Sequence, residues 1–164
     1  MDTFRSWFAD YMDHWYGFAK EQIEDGGEMH AALMVVAKGG LQVAVMPVDM
    51  ERKDETFALH VELGRPTHIV DGAVLFCEAW TLDAGVLAPG ETIEEVARRH
   101  DGQSLEHNPA AVEVVLWSAR RGDELRLAKA TIERKADGTR ALRPYEMIEI
   151  DPDRMAGRMV TRSA

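Results

Sequence analysis

The stretch from His68 to Leu82, H-I-V-D-G-A-V-L-F-C-E-A-W-T-L, has the composition of a buried β-strand but carries an acid, Glu78. A carboxylate on an apolar strand must find a hydrogen-bond partner, face solvent or stay protonated. Strand alternation places Glu78 and Trp80 on one face and Cys77 and Ala79 on the other. Because a lone cysteine in apolar surroundings usually belongs to the core, we expect Glu78 to lie on the outside of the sheet.

Downstream of this strand, alternating apolar residues and turn residues predict a β-meander. Strands over 111–119 and 125–134 flank a turn at Arg121-Gly122-Asp123, and Asp137-Gly138 closes the next hairpin. The last strand is predicted over 142–150. Pro144 within it indicates the edge of a sheet, since proline has no N–H to donate.

Upstream, the segment from Thr3 to about Asp25 is predicted to be a helix that ends at Gly26-Gly27. Its aromatic residues recur at spacings of four, three, four and three, which places them on one face. They are Phe4, Phe8, Tyr11, Trp15 and Phe18. We interpret this stripe as core or interface.

Two further segments lie between the helix and the central strand. The apolar runs 29–37 and 41–48 surround Lys38-Gly39-Gly40 and predict a hairpin. Residues 50–63 fit a helix capped by Asp49, but Phe57, Leu59, Val61 and Leu63 also alternate as in a strand. The charged start of this segment favours a helix that ends at Gly64.

The long connection over residues 84–108 is rich in glycine and charge. Within it, Thr92-Ile93-Glu94-Glu95 matches a capping box and predicts a short helix. Connections of this length are commonly functional or mobile, so the pattern leaves open whether this one is a lid or a passive loop.

These elements predict an α+β fold with a mainly antiparallel sheet of about six strands. The N-terminal aromatic amphipathic helix and one or two shorter helices are expected to pack on one face. Residues 1–150 are expected to form a single domain, followed by an Arg-bearing C-terminal tail over 151–164.

Composition narrows the possible partners. A net charge of −10 argues against direct binding to nucleic acid or to an anionic membrane, because phosphate contacts need clustered cations. The apolar runs are too short to span a membrane. A single cysteine and the lack of a signal-peptide pattern favour a cytoplasmic location.

The sequence contains no phosphate loop, dinucleotide fingerprint, zinc pattern or nucleophile elbow, so no cofactor and no metal is predicted. If the central strand pairs antiparallel with strand 111–119, Glu78 and Glu113 come close together, with His107 near the same end. Such a cluster could bind a metal or perform acid–base chemistry at the sheet edge. The more ordinary interpretation is that Glu113 faces solvent and His107 belongs to a loop.

Charge is unevenly distributed along the chain. Residues 1–29 carry seven acidic and two basic side chains, whereas residues 151–164 carry Arg154, Arg158 and Arg162 against Asp151 and Asp153. We therefore predict a non-catalytic protein-interaction or regulatory, inhibitor-like protein that acts through an acidic surface on a possibly basic protein partner. The predicted contact residues are Asp10, Asp13, Glu21 and Glu24. The alternatives are a small enzyme with the carboxylate/histidine site described above, or a homo-oligomeric structural protein that pairs through its aromatic helix or the Pro144 edge.

Overall fold

A computed structural model of the chain describes residues 3–39, 42–82, 90, 95 and 111–148. Two α-helices, one short 3-10 helix and seven strands lie within these residues. In chain order they are α1 (Thr3–Glu24), β1 (Ala32–Ala37), β2 (Gln42–Pro47), the 3-10 helix (Met50–Arg52), α2 (Lys53–Leu63), β3 (Val70–Leu82), β4 (Ala111–Arg121), β5 (Glu124–Arg134), β6 (Arg140–Leu142) and β7 (Glu146–Ile148). The predicted connection 84–108, apart from isolated positions 90 and 95, and the predicted tail 151–164 lie outside the described residues.

The strands form an antiparallel sheet in the order β2-β1-β3-β4-β5-β6, and β7 also pairs with β5. The predicted α+β class with a mainly antiparallel sheet is therefore confirmed. The long strand β3 lies in the middle of the sheet and joins the β1–β2 hairpin to the β4–β5 hairpin.

Helix α1 forms where the aromatic spacing predicted it and packs its apolar side on one face of the sheet. Phe8, Met12 and Ile23 are fully buried there, against Phe76 of β3 and Trp117 of β4. The helix ends at Glu24, and Gly26 just beyond it has a φ of +84°, the left-handed geometry that glycine accepts most easily. Phe18, at the edge of the stripe, remains 43% exposed.

The shorter helix differs from the expectation in its placement. Residues 53–63 are helical, as their charged start indicated, and Asp49 caps the preceding 3-10 helix by accepting the Glu51 N–H at 2.9 Å. However, α2 packs on the face opposite α1, where Phe57 meets Leu33, Ala73 and Leu75. Both faces of β1 and β3 carry apolar side chains, so both faces must be covered by other elements.

The predicted last strand is divided in two around Pro144. Both pieces, β6 and β7, pair with the outer edge of β5, and the Arg143 N–H still donates to the Thr131 carbonyl at 2.9 Å. The edge position that proline indicated is thus confirmed. The interruption follows from its missing N–H, which cannot join a ladder of hydrogen bonds.

Candidate functional site

The antiparallel register of β3 and β4 brings Glu78 and Glu113 together. Glu78 lies opposite Val115, and Glu113 lies opposite Trp80, so the two acids are diagonal neighbours on one face. The Arg140 Nη1 atom lies 3.0 Å from Glu78 Oε2 and 3.2 Å from Glu113 Oε1. A guanidinium from β6 therefore bridges both carboxylates.

The expected outward orientation of Glu78 is wrong. Glu78 shares the α1 side of the sheet with Phe76, while Cys77 is buried on the opposite side. The expectation assumed that one face of the strand meets water, but α1 covers one side and α2 packs on the other. Glu78 is instead half-buried and satisfied by protein groups.

Backbone and side-chain donors complete this cluster. Glu78 Oε1 accepts the Met29 N–H at 2.7 Å, and Arg140 Nη2 donates to the Gly27 carbonyl at 2.5 Å. Arg134 forms a two-pronged contact with Glu113, with Nε–Oε2 at 2.9 Å and Nη2–Oε1 at 3.2 Å. We call Glu78, Glu113, Arg134 and Arg140 the carboxylate–guanidinium cluster.

The contacts of the carboxylate–guanidinium cluster indicate a structural role, because they hold separate elements of the fold together. Burial alone would lower the pKa of Arg140, but the hydrogen bonds and charges of Glu78 and Glu113 outweigh it and raise that pKa. Carboxylate oxygens that already accept from guanidinium and backbone donors are poorly placed to take a proton from a substrate. The cluster instead ties the connection after α1 to the sheet. His107, the third predicted member, lies outside the described residues.

Sequence reasoning missed Arg134 and Arg140, although a signal for them exists. The Asp137-Gly138 turn closes a hairpin in which Arg134 pairs with Arg140. That register brings two guanidinium groups to the end of the sheet that holds Glu113. A pair of neighbouring, largely buried acids requires cations, and these arginines are the nearest available from the next hairpin.

The predicted contact residues Asp10, Asp13, Glu21 and Glu24 are all exposed on α1. Asp10 to Glu21 and Asp13 to Glu24 are each eleven residues apart, which is about three helical turns, so all four lie on the side of α1 away from the sheet. We call them the acidic stripe. Gly17 lies in the middle of it and is also exposed.

Two members of the acidic stripe already have partners. Asp13 accepts a hydrogen bond from the Tyr145 hydroxyl at 2.7 Å, and this bond, together with burial, raises the pKa of Tyr145 to about 12. Glu24 pairs with Lys20, whose hydrogen bond lowers the pKa of that carboxyl. Among the described residues, Asp10 and Glu21 contact no cation.

The remaining titratable groups of interest are buried on the α2 side. Cys77 is 3% exposed, and burial raises the pKa of its thiol to about 11, which keeps it protonated and unreactive. His60 is equally buried, with Nε2 at 3.2 Å from the Ala73 carbonyl. Burial lowers its pKa to about 4, so the ring is neutral near pH 7.

An open depression of about 420 Å³ lies beside the carboxylate–guanidinium cluster. It is lined by residues 28–31, 48–51, 77 and 78. Within the part of the chain that the structure describes, no group of three or more His, Cys, Asp or Glu side chains could hold a metal ion.

The chain matches no protein-family model, no curated protein and no solved structure. No activity can therefore be transferred to it from a relative. Neither of the two described helices is long and apolar enough to cross a membrane.

Proposed function

We propose that the protein is a cytoplasmic, non-catalytic interaction protein that binds a basic protein partner through the acidic stripe of α1. The observation that carries this proposal is the exposure of Asp10, Asp13, Glu21 and Glu24 on one side of a helix whose other side is buried. Because a rigid helix already fixes these carboxylates relative to one another, binding costs little conformational entropy on the α1 side of the interface.

The dimensions of the stripe suit a short basic segment or helix. From Asp10 to Glu24 it extends about 21 Å at 1.5 Å per residue. Asp10 and Glu21, which contact no cation among the residues that the structure describes, are available for charge-assisted hydrogen bonds to arginine or lysine. An acidic surface of this kind attracts a basic partner at long range and weakens with salt.

The two alternatives have less support. The enzyme alternative used Glu78 and Glu113, whose oxygens are engaged by Arg140 and Arg134. The homo-oligomer alternative used the aromatic side of α1, most of which packs against the sheet of the same chain. It also used the Pro144 edge, where Lys129 and Glu146 form an ion pair between β5 and β7.

The test compares three immobilised proteins in a lysate of the native host at low salt: wild type, Asp10→Lys/Glu21→Lys, and Glu51→Lys/Glu124→Lys. The third variant changes the charge equally at exposed positions away from α1. Proteins retained by wild type are identified, purified and titrated in solution. We expect a basic partner whose Kd rises at least about tenfold with the α1 variant and less than about twofold with the control.

Salt provides the second readout. The same Kd should rise by about tenfold between roughly 50 and 300 mM NaCl, since exposed charges are screened over about 10 Å at 0.1 M. A retained partner that binds all three proteins equally and ignores salt would exclude the acidic stripe as the binding surface. Circular dichroism and urea unfolding of each variant confirm that the fold is intact.

A further inference from the structure

We propose that two copies of this chain pair through strand β2, antiparallel and about a twofold axis, so that their sheets join at this edge. The inference does not depend on the proposed function, because self-association is measured on the protein alone. It concerns the sheet edge opposite to the Pro144 edge, since β2 and β7 lie at opposite ends of the strand order.

The first support is an open row of backbone groups. Strand β2 pairs with β1 on one side, and among the strands that the structure describes none pairs with its other side. An edge strand of this kind presents N–H and C=O groups outwards, and a strand of another chain can pair with them. Pro47, which has no N–H, ends the usable part of this edge, so pairing covers residues 42–46.

The second support is the lack of charge around β2. Residues 39–48, G-G-L-Q-V-A-V-M-P-V, contain no acidic or basic side chain, whereas charged residues make up 29% of the whole chain. Edge strands that stay single are commonly protected by charged side chains, lysine above all, and β2 has none. Two copies that each carry a net charge of −10 therefore meet the least repulsion when they approach along this edge.

The third support is exposed apolar surface beside this edge. Val45 lies opposite Met34 on the α1 side of the sheet; Met34 is buried, whereas Val45 is 41% exposed. On α1, Tyr16 donates a hydrogen bond to the Leu142 carbonyl of β6. Phe18 is rotated by about 200° from Tyr16 and lies on the other flank of the buried side, towards β1 and β2, where it is 43% exposed. An antiparallel pair about an axis perpendicular to the sheet brings Val45 of both copies to the same side, and each copy covers apolar surface of the other.

The fourth support identifies the partner as a second copy. Lys38 is exposed at the turn end of the β1–β2 hairpin, and Asp49 and Glu51 are exposed just beyond the other end of β2. Antiparallel pairing places the turn end of each copy beside the Asp49 end of the other, so the same lysine–carboxylate contact forms twice. The open depression described above is lined in part by residues 48–51 and leaves room for the lysine side chain.

Self-association is measured by sedimentation equilibrium between about 2 and 300 μM protein, because a dimer forms by mass action. We expect the average mass to rise with concentration from 18.4 kDa towards that of a dimer, with a Kd in the micromolar range because the interface is small. Val45→Lys sets two like charges against each other near the axis and should raise this Kd at least about tenfold. Met147→Lys is the control: it makes the same change in charge at an exposed apolar residue of β7 and should raise the Kd less than about twofold.

The charge contacts are tested by Lys38→Glu, which sets an acid against Asp49 and Glu51 of the second copy. We expect the Kd to rise at least about fivefold, and about 500 mM NaCl to narrow the difference from wild type. Lys135→Glu, an equal change at an exposed residue beside the β5–β6 turn, is the control and should raise the Kd less than about twofold. Circular dichroism of each variant confirms that the fold is intact.

The edge that pairs is identified by the distance between nitroxide spin labels on Met147→Cys, measured by double electron–electron resonance in the dimer. Pairing through β2 puts the other strands of both sheets between the two β7 strands, which separates the labels by at least about 35 Å even in a twisted sheet. The buried, protonated thiol of Cys77 resists labelling, and unsubstituted protein treated in the same way verifies this.

An average mass of 18.4 kDa at every concentration overturns the inference. So does a dimer that Val45→Lys and Met147→Lys weaken equally, or a label distance below about 25 Å, which indicates pairing through the opposite edge. If Val45→Lys fails to fold, Lys38→Glu and the label distance decide. A confirmed β2 dimer for which no basic partner is found leaves this inference standing, and the proposed function fails alone.

Discussion

At the scale of single residues, the burial of His60 makes the unfolding free energy depend on pH. Its pKa of about 4 lies below the usual value of 6.5, since burial disfavours the charged ring. Between these two values the unfolded chain binds a proton that the folded protein does not, so stability is lost as pH falls from 6.5 towards 4. Between pH 7 and 5 this group should remove about 2 kcal/mol of unfolding free energy.

The measurement is urea unfolding at both pH values for wild type and His60→Gln. Glutamine can still donate to the Ala73 carbonyl but does not titrate. The drop between pH 7 and 5 should therefore be about 2 kcal/mol smaller in the variant. An equal drop in both proteins would mean that another group determines the acid sensitivity.

Arg140 is the residue on which the carboxylate–guanidinium cluster depends. Arg140→Met leaves Glu78 and Glu113 without their shared cation, and Arg140, Glu78 and Glu113 are largely shielded from solvent. We expect a loss of about 2–3 kcal/mol in the unfolding free energy, most of it recovered in Arg140→Met/Glu78→Gln/Glu113→Gln, which leaves no unpaired acid.

Arg143 is the matched control for this prediction. It lies three residues away and pairs with Glu133 at 3.5 Å, with both side chains exposed. Exposed pairs contribute little, so Arg143→Met should change the unfolding free energy by less than about 1 kcal/mol. Equal losses for the two methionine variants would argue against the cluster as a structural clamp.

At the scale of elements, Gly17 and Gly72 differ in the space available for a side chain, so their alanine variants test helix propensity and strand packing separately. A Cβ atom at Gly17 of α1 would meet nothing within 4 Å, whereas one at Gly72 of β3 would lie 2.6 Å from the Arg120 carbonyl oxygen. Gly17→Ala should therefore raise the unfolding free energy by about 1 kcal/mol, because glycine weakens helix interiors. Gly72→Ala should lower it by about 1–3 kcal/mol through steric strain. Thermal and urea unfolding measure both, and a destabilising Gly17→Ala would show that the exposed side of α1 has a contact outside the described residues.

The elements also show where sequence patterns were sufficient. The aromatic spacing of α1 and the glycine turns of the hairpins are local signals, and they located α1 and strands β1 to β5 well. The proximity of Glu78 and Glu113 followed from antiparallel pairing alone. Arg140 was missed because its position depends on the register of a later hairpin, and no local pattern near Glu78 reveals that register.

At the scale of the whole molecule, the burial of Glu78 was mispredicted because helices pack on both faces of the sheet. If one face of the sheet were exposed to solvent and Cys77 pointed into the core, Glu78 would point into solvent. The pattern of β3 cannot distinguish that arrangement from a sheet covered on both sides, because which helix packs on which face is decided by distant residues such as Phe8 and Phe57. For Glu78, the side of the strand that it shares with Phe76 and Trp80 was predictable from the sequence, but its burial was not.

Net charge is also a property of the whole molecule, and it opposes the fold. At −10 the chain repels itself, and the acidic stripe places Asp10 three residues from Asp13 and Glu21 three residues from Glu24 on one helix. Asp10→Asn/Glu21→Gln should therefore raise the unfolding free energy at low salt by about 0.5 kcal/mol. Raising NaCl from about 20 to 300 mM should stabilise wild type more than this variant, since screening relieves the same repulsion. Urea unfolding at both salt concentrations measures the difference. If the variant is less stable than wild type at low salt, these carboxylates stabilise the fold, and their exposure no longer favours a surface kept for binding.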